Sequence, residues 1–193
     1  MLYQTVLQDA SLPGVLRMVD EDLARVRRDE GCRCGGVLHV SNYPRKPRGP
    51  CPWGLPAGCD FRLSFTCATC RKRTTPHSTL FHGRRVYLGV VVVLVATLRH
   101  GPTRVRMAVL EAEWGVPKRT VARWCGWWRT TFAKSPFWRS ARARFPSPLG
   151  EAVLPFSLAV AFGLESGDTS RLHALLEFLL PVTTRPWLLA QAS

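Results

Sequence analysis

The chain has 193 residues, enough for one compact domain or two small modules and too few for most multi-domain enzymes. Hydrophobic residues make up 46% of it, which excludes a disordered basic tail. The net charge is +14, and residues 31–150 carry 21 basic but only 3 acidic side chains. Because each neutralised phosphate releases counterions, a polyanion is the expected partner of that segment. The alternative is a basic surface that only aids solubility.

Residues 1–30 are predicted to form an N-terminal amphipathic helix. Ser11 before Pro13 is a start signal for it. Apolar side chains recur at three- and four-residue spacing, at Leu12, Val15, Leu16, Val19, Leu23 and Val26. Charged side chains, among them Asp20, lie between these positions and are therefore expected on the other face.

Residues 31–83 are predicted to form a small zinc ribbon with a basic loop. Residues 61–67 place apolar groups at every second position, which is typical of a strand. Residues 43–59 contain too much Pro and Gly for regular structure and are interpreted as an extended basic loop.

Four cysteines of this segment form two close pairs, Cys32 with Cys34 and Cys67 with Cys70, separated by 32 residues. Two tight turns that each present two thiolates can converge on one tetrahedral Zn²⁺ ion, and Gly35 and Gly36 after the first pair allow positive φ angles. The N-terminus lacks an export signal, which predicts a reducing cytoplasmic location where disulfides are rare. We therefore expect one structural zinc ion rather than disulfides.

Other assignments of the cysteines are open. His39 is an alternative ligand to one thiol of the first pair, whose Cys-x-Cys turn is tighter than usual for zinc. Cys51 and Cys59 have a spacing that fits no common pattern, and Cys125 is interpreted as core. The four paired cysteines could instead be small buried hydrophobes.

Residues 84–145 are predicted to be a helical region that contains a helix-turn-helix. The apolar run at 86–98 is 13 residues long, short of the roughly 20 needed to cross a bilayer, so it is interpreted as a buried helix and no membrane contact is expected. Residues 103–113 and 117–128 read as two helices around a glycine-containing turn. A plain helical hairpin would show the same spacing.

The two helices also make predictions about individual side chains. Those expected to face the core are Ala108, Leu110, Val116, Val121 and Trp124. Those expected to point outward, toward phosphates and guanine edges, are Lys118, Arg119, Ala122 and Arg123. Trp124 and Trp128 are assigned to the core in preference to base stacking.

Residues 146–193 form a nearly neutral tail rich in Leu and Pro. It is predicted to be helical, with its best helix running from Arg171 to Leu180 and stopped by Pro181. Such a tail can serve as core, as a homodimer surface or as a surface for a protein partner. The whole chain is therefore predicted to be α+β and mostly α, with a zinc ribbon followed by a helical bundle.

Five short motifs carry a resemblance to a known family. They are Cys-x-Cys-Gly-Gly-x-Leu-His ending at His39, Tyr-Pro-Arg-Lys-Pro-Arg-Gly ending at Gly49, Cys-x-x-Cys-Arg-Lys-Arg-Thr-Thr-Pro ending at Pro76, Gly-Arg-Arg-Val-Tyr-Leu-Gly ending at Gly89, and Gly-Val-x-x-x-Thr-Val-x-x-Trp ending at Trp124. Through them, residues 31–145 resemble a family of short bacterial proteins related to the zinc-ribbon plus helix-turn-helix front ends of insertion-sequence transposases. A transposase of the acidic-triad type also needs separated metal-binding carboxylates, and the basic region has only Asp60, Glu111 and Glu113. No catalytic core is expected.

The leading hypothesis is a non-enzymatic, zinc-containing protein that binds duplex DNA in the nucleoid, either transposase-related or regulatory. The predicted phosphate contacts are Arg45, Lys46, Arg48, Arg71, Lys72 and Arg73, and the side chains predicted nearest base edges are Lys118, Arg119 and Arg123. An RNA-binding zinc ribbon is the alternative, since the same charge suits RNA. A metal-dependent nuclease or recombinase fragment is disfavoured because the five histidines are scattered and no carboxylate pair has suitable spacing.

Overall fold

The computed structural model describes residues 12–45, 57–82, 108, 111–112, 116–166 and 168–184. These residues form a mixed α+β structure, which confirms the predicted class. The helices are α1 (Leu12–Asp29), α2 (Lys118–Trp127), α3 (Pro136–Ala141), α4 (Phe156–Ala161) and α5 (Thr169–Phe178). The strands are β1 (Leu38–Val40), β2 (Tyr43–Pro44), β3 (Phe61–Arg62), β4 (Phe65–Cys67) and β5 (Arg73–Thr74). Short helical turns lie at Trp128–Phe132, Arg142–Arg144, Glu151–Val153, Leu164–Ser166 and Leu180–Thr183.

The strands form two small antiparallel sheets. One has the order β1-β4-β5, and the other pairs β2 with β3. The sequence predicted one strand over 61–67, whereas the structure divides it between the two sheets. The division falls at Ser64, whose backbone N–H donates to Asn42 Oδ1 (3.1 Å) and whose carbonyl accepts from the Ser41 N–H (2.8 Å). The Asn42 side chain therefore accepts the Ser64 N–H in place of a strand carbonyl. The bond from Ser41 keeps the register that the two sheets share, since Val40 lies opposite Phe65 and Tyr43 lies opposite Arg62.

Helix α1 buries only part of the apolar face that its sequence predicted. The buried positions are Pro13 and a row at four-residue spacing, formed by Leu12, Leu16, Asp20 and Ala24. Val15 and Val26, expected in the core, are 44% and 56% exposed. The prediction was wrong at these positions because a hydrophobicity pattern assigns a carboxylate such as Asp20 to the solvent face.

Asp20 lies at the centre of a buried polar network that we call the Asp20 anchor, formed by Asp20, Arg62, Ser78 and Thr79. Its carboxylate accepts hydrogen bonds from the Thr79 N–H (2.6 Å), the Thr79 hydroxyl (2.9 Å) and the Ser78 hydroxyl. The Arg62 guanidinium lies 3.7 Å away and also donates to the carbonyls of Pro76 and His77. The Ser78 N–H donates to Thr183 Oγ1 (3.2 Å). The anchor therefore joins α1, β3 and the turn at Leu180–Thr183.

Two clusters of buried apolar side chains have very different sizes. The small one lies beside the three-stranded sheet and consists of Ala24, Leu38, Phe65 and Cys67. The large one joins the start of α1 to the helices after residue 116, and Trp128, Phe132 and Trp138 are its largest fully buried side chains. Trp124 and Trp128 both belong to it, so their assignment to the core is confirmed.

The last helices are close to prediction. Helix α5 begins earlier than expected because the Asp168 side chain caps it by accepting from the Ser170 N–H (2.8 Å). Pro181, the predicted stop, lies in the turn that follows α5. Among the helices that the structure describes, none is both long and apolar enough to cross a bilayer. The apolar run at 86–98 lies outside the described residues.

Candidate metal centre

The four cysteines predicted as ligands meet at one point. The Sγ atoms of Cys32 and Cys70 are 3.6 Å apart, and Cys34 Sγ lies 3.5 Å from both Cys32 Sγ and Cys67 Sγ. All four sulfurs lie within 4.8 Å of one another, and none of the four cysteines is in a disulfide. A tetrahedron with Zn–S bonds of about 2.3 Å has sulfurs about 3.8 Å apart. The thiols are therefore positioned to hold a metal ion.

Each pair of thiols is presented by a tight backbone turn. In the first, the Gly35 N–H donates to the Cys32 carbonyl (2.8 Å), and Gly35 adopts φ +79°. In the second, the Arg71 N–H donates to the Cys67 carbonyl (3.1 Å), and Arg71 adopts φ +58°. Positive φ is uncommon for a residue with a Cβ, so the second turn holds Arg71 in a backbone conformation that glycine would adopt more readily.

Gly36 serves the first turn through its small size. It was predicted to supply a positive φ, but among the two glycines only Gly35 does so. A Cβ at residue 36 would lie 2.5 Å from Thr69 Oγ1 and 2.6 Å from Cys67 Sγ. Gly36 thus lets the two turns approach closely enough for their sulfurs to meet.

The sulfurs influence one another electrostatically. The backbone N–H of Cys70 donates to Cys67 Sγ and, with the neighbouring thiols, lowers the pKa of Cys67 to about 6. A hydrogen bond from the backbone of Lys72 lowers the pKa of Cys70, but the thiols of Cys34, Cys32 and Cys67, together with desolvation, raise it to about 11. One thiolate therefore forms readily and disfavours ionisation of its neighbour. A bound cation would remove that conflict, because metal ligation stabilises thiolates.

The other ligand candidates lie elsewhere. His39 is exposed on β1, opposite Thr66, and is not part of the four-thiol group. Cys59 is fully buried in the large apolar cluster, and Cys125 is half-buried against it, as expected for a core residue. Cys51 lies outside the described residues. The first pair thus contributes both of its thiols to the site.

Three exposed cations follow the second pair of thiols in the chain. Arg71, Lys72 and Arg73, all predicted phosphate contacts, are exposed on and just after the second turn. Arg73 also donates to Ser41 Oγ (3.2 Å), and its guanidinium carbon lies 5.4 Å from the centre of the Tyr43 ring. These side chains give the sheet edge a positive surface.

The basic loop is only partly described. Arg45 is half-buried at the end of β2, with its guanidinium carbon 5.7 Å from the ring centres of both Tyr43 and Phe81. Lys46 and Arg48 lie outside the described residues.

The second predicted helix of the helix-turn-helix is α2. Its outward residues are those predicted, since Lys118, Arg119, Ala122 and Arg123 are all exposed. Val116, Val121 and Trp124 are buried, as expected. Pro117 precedes the helix without a side-chain cap, but its carbonyl accepts from the Thr120 N–H (2.8 Å).

The first helix of the motif is described at three residues only, 108, 111 and 112, all of which are helical. Ala108 is exposed, so its predicted place in the core is wrong. Leu110 lies outside the described residues.

Sequence reasoning missed the Asp20 anchor. The signal that could have revealed it is the four-residue spacing of Leu16, Asp20 and Ala24, which puts the carboxylate in line with two core residues. Its partners are 58 and 59 residues away, too far for any local pattern to connect them.

Comparison with protein-family models, with curated proteins and with solved structures finds no match to this chain. The interpretation of the site therefore depends on its geometry and chemistry alone.

Proposed function

We propose that this protein is a non-enzymatic, zinc-containing DNA-binding protein, transposase-related or regulatory, in which the metal is structural. The observation that carries the proposal is the four-thiol cluster at a sheet edge where Arg71, Lys72 and Arg73 are exposed. Four sulfur ligands complete a tetrahedral site and leave no open position for a reactive water molecule. Zinc is the metal we propose because thiolate ligands in a closed tetrahedral arrangement favour it.

The metal would support the DNA-binding surface by fixing the second turn. Arg71 and Lys72 follow directly after Cys70, so ligation of that thiol holds their backbone in place. Ordered cations lose less conformational entropy when they contact phosphates. We propose that they act as sequence-independent phosphate contacts, together with Arg73 and with Arg45, Lys46 and Arg48 of the basic loop.

Helix α2 would supply the contacts to base edges. Lys118, Arg119 and Arg123 are exposed on it, while Val121 and Trp124 bind it to the core. A guanidinium in the major groove donates two hydrogen bonds to guanine, worth about 1–3 kcal/mol of discrimination. Arg123 is our candidate for that role.

The test begins with the metal-loaded wild-type protein, from which a preferred duplex is selected out of a random library. Arg123→Ala should weaken binding to that duplex by about 1–3 kcal/mol and binding to random DNA much less. Arg71→Ala with Lys72→Ala should weaken both equally and reduce the slope of log affinity against log salt by about 2. The matched control is Arg25→Ala with Arg28→Ala, which removes the same charge from the exposed side of α1.

Three results would contradict the proposal. One is the absence of duplex binding at low salt, and another is tighter retention on structured RNA than on DNA at matched salt, which would favour the RNA-binding alternative. The third is hydrolysis or strand transfer of the bound nucleic acid by purified protein, which would make it an enzyme.

A further inference from the structure

The region from residue 116 to residue 150 has an uneven distribution of charge. It contains eight basic side chains and no acidic one. All eight are exposed: Lys118, Arg119, Arg123, Arg129, Lys134, Arg139, Arg142 and Arg144. The three on α2 belong to the proposed DNA-reading helix, so the remaining five require an explanation of their own.

The inward side of this region is a continuous aromatic row. Trp128 and Phe132 have ring centres 4.7 Å apart, and Phe132 and Trp138 have ring centres 5.3 Å apart. All three rings are fully buried in the large apolar cluster. These rings pack the π-helical turn at Trp128–Phe132 and helix α3 against the core. Arg129 in the turn and Arg139 on α3 are therefore held on the solvent side of this packed layer, and Lys134 and Arg144 lie in the short segments that follow them.

The π-helical turn contributes to this arrangement. In a regular α-helix, the four-residue steps from Trp124 to Trp128 and Phe132 would drift around the helix axis by about 40° each. The wider turn has more residues per turn and offsets that drift. Trp128 and Phe132 are both fully buried as a result, while Arg129 is exposed.

Four of the five cations have no acidic partner among the residues that the structure describes. Arg142 forms an ion pair with Glu151 (2.8 Å). Within the residues that the structure describes, Arg129, Lys134, Arg139 and Arg144 have no carboxylate within ion-pair distance. Exposed cations that no described carboxylate neutralises attract a polyanion.

We propose that Arg129, Lys134, Arg139 and Arg144 form a second phosphate-contacting surface, which binds the sugar-phosphate backbone of duplex DNA next to the place where α2 enters the major groove. This inference rests on the proposed function. Duplex DNA is the occupant because its major groove admits a helix such as α2, whereas that of A-form RNA is too narrow for protein side chains to read. The four cations add affinity without reading sequence.

The experiment measures duplex binding against salt for the full-length, metal-loaded protein, on its selected duplex and on random DNA. A variant with Gln at all four positions should reduce the slope of log affinity against log salt by about 3 to 4, equally on both DNAs. The control replaces Arg25, Arg28 and Arg171 with Gln. It removes three charges from exposed positions on α1 and α5 that lie outside residues 129–144, so its slope should change by less than about 1.

Two variants with only two of the four substitutions each provide the test if the four-residue variant does not fold. Arg129→Gln with Lys134→Gln, and Arg139→Gln with Arg144→Gln, should each reduce the slope by about 2. Three results overturn the inference and leave the proposed function intact. The four-residue variant keeps the wild-type slope, the slope falls equally in the control, or the loss of affinity is confined to the selected duplex. Failure of the wild-type protein to bind duplex DNA overturns the proposed function as well, and a larger change on duplex RNA than on DNA overturns the choice of occupant.

Discussion

The four-thiol region and the helical region differ in how much apolar surface they bury. Among the described residues, the buried apolar side chains around the four thiols are Ala24, Leu38, Phe65 and Cys67, and the strands are two or three residues long. After residue 116, a large apolar cluster buries several complete aromatic rings. We therefore expect the small sheet to depend on metal ligation and the helices on packing, because so few apolar contacts do not offset the entropy of ordering the chain.

Removal of one proposed metal ligand should have the largest effect, and it should unfold the small sheet without unfolding the helical region. In Cys67→Ser, we expect bound metal to fall from about one ion per chain to none, because three remaining thiols no longer close the tetrahedron. Amide signals of β1, β4 and β5 should collapse, while those of α5 persist. Metal analysis and two-dimensional NMR measure both effects.

The matched control is Cys59→Ser, which alters a cysteine buried in the other cluster. It should retain the metal. If Cys59→Ser released the metal and Cys67→Ser kept it, the assignment of the ligands would be wrong.

Truncation of Trp138 tests the packed region in the same way. This side chain is fully buried, and its indole N–H donates to Glu151 Oε1 (2.9 Å). Trp138→Ala should lower the free energy of unfolding of the helical region by about 3–5 kcal/mol. Metal content should not change.

Urea unfolding monitored by helical circular dichroism gives the value for Trp138→Ala. Trp138→Phe is the control. It keeps an aromatic ring in the row, so its free energy of unfolding should fall clearly less. Equal losses in the two variants would mean that the hydrogen bond to Glu151, and not the packing, stabilises this position.

The Asp20 anchor is where the two regions meet, so its loss should affect both. Asp20→Ala leaves the Ser78 hydroxyl, the Thr79 N–H and the Arg62 guanidinium without their shared acceptor. We expect the free energy of unfolding to fall by about 3 kcal/mol at neutral pH, which is the lower end of the range for breaking a buried ion pair. The effect lies at that end because Arg62 still donates hydrogen bonds to the carbonyls of Pro76 and His77. Asp22→Ala, on the exposed face of α1, is the control and should change stability little.

The stability difference between wild type and Asp20→Ala should also depend on pH. Burial raises the pKa of Asp20 above its ordinary value of 3.8, although hydrogen bonds from Ser78 and Thr79 oppose the change. The folded chain therefore holds this proton more tightly than the unfolded chain, so the contribution of Asp20 to stability is complete below pH 3.8 and declines as the pH rises through the folded pKa. The difference in unfolding free energy between wild type and Asp20→Ala should shrink over that range. A difference that grows with pH would contradict the raised pKa.

The smallest expected effect concerns a single helix cap. Ser135 Oγ accepts from the Trp138 N–H (3.1 Å) and donates to the Phe132 carbonyl (2.7 Å), which joins the π-helical turn to α3. Ser135→Ala should lower the free energy of unfolding by about 1 kcal/mol. Ser140→Ala, exposed on the same helix, should lower it by clearly less. Thermal unfolding of the two variants side by side distinguishes them.

What the sequence predicted correctly was local. The four thiols are grouped by spacings of two and three residues, and the exposed face of α2 follows from a helical period within ten residues. What it did not predict depends on distant contacts. The interruption at Ser64 arises from Asn42, 22 residues away, and the burial of Asp20 depends on Ser78 and Thr79.

The exposed Val15 and Val26 belong to the same lesson. Either could have filled a core position on α1 by hydrophobicity alone, but the polar partners of Asp20 select the face that is buried. The buried side of this 18-residue helix thus combines a carboxylate with Leu12, Leu16 and Ala24.

The hydrogen bond from Ser78 to Thr183 spans 105 residues, and this has a consequence for the order of assembly during synthesis. The chain leaves the ribosome from its N-terminal end, and all four thiols have emerged once residue 70 is clear. We therefore expect the proposed metal ion to bind these thiols while α2 to α5 are still being translated. The hydrogen bond from Ser78 to Thr183 cannot form until residue 183 has been made, so this attachment of the sheet region to the rest of the protein is expected among the last steps.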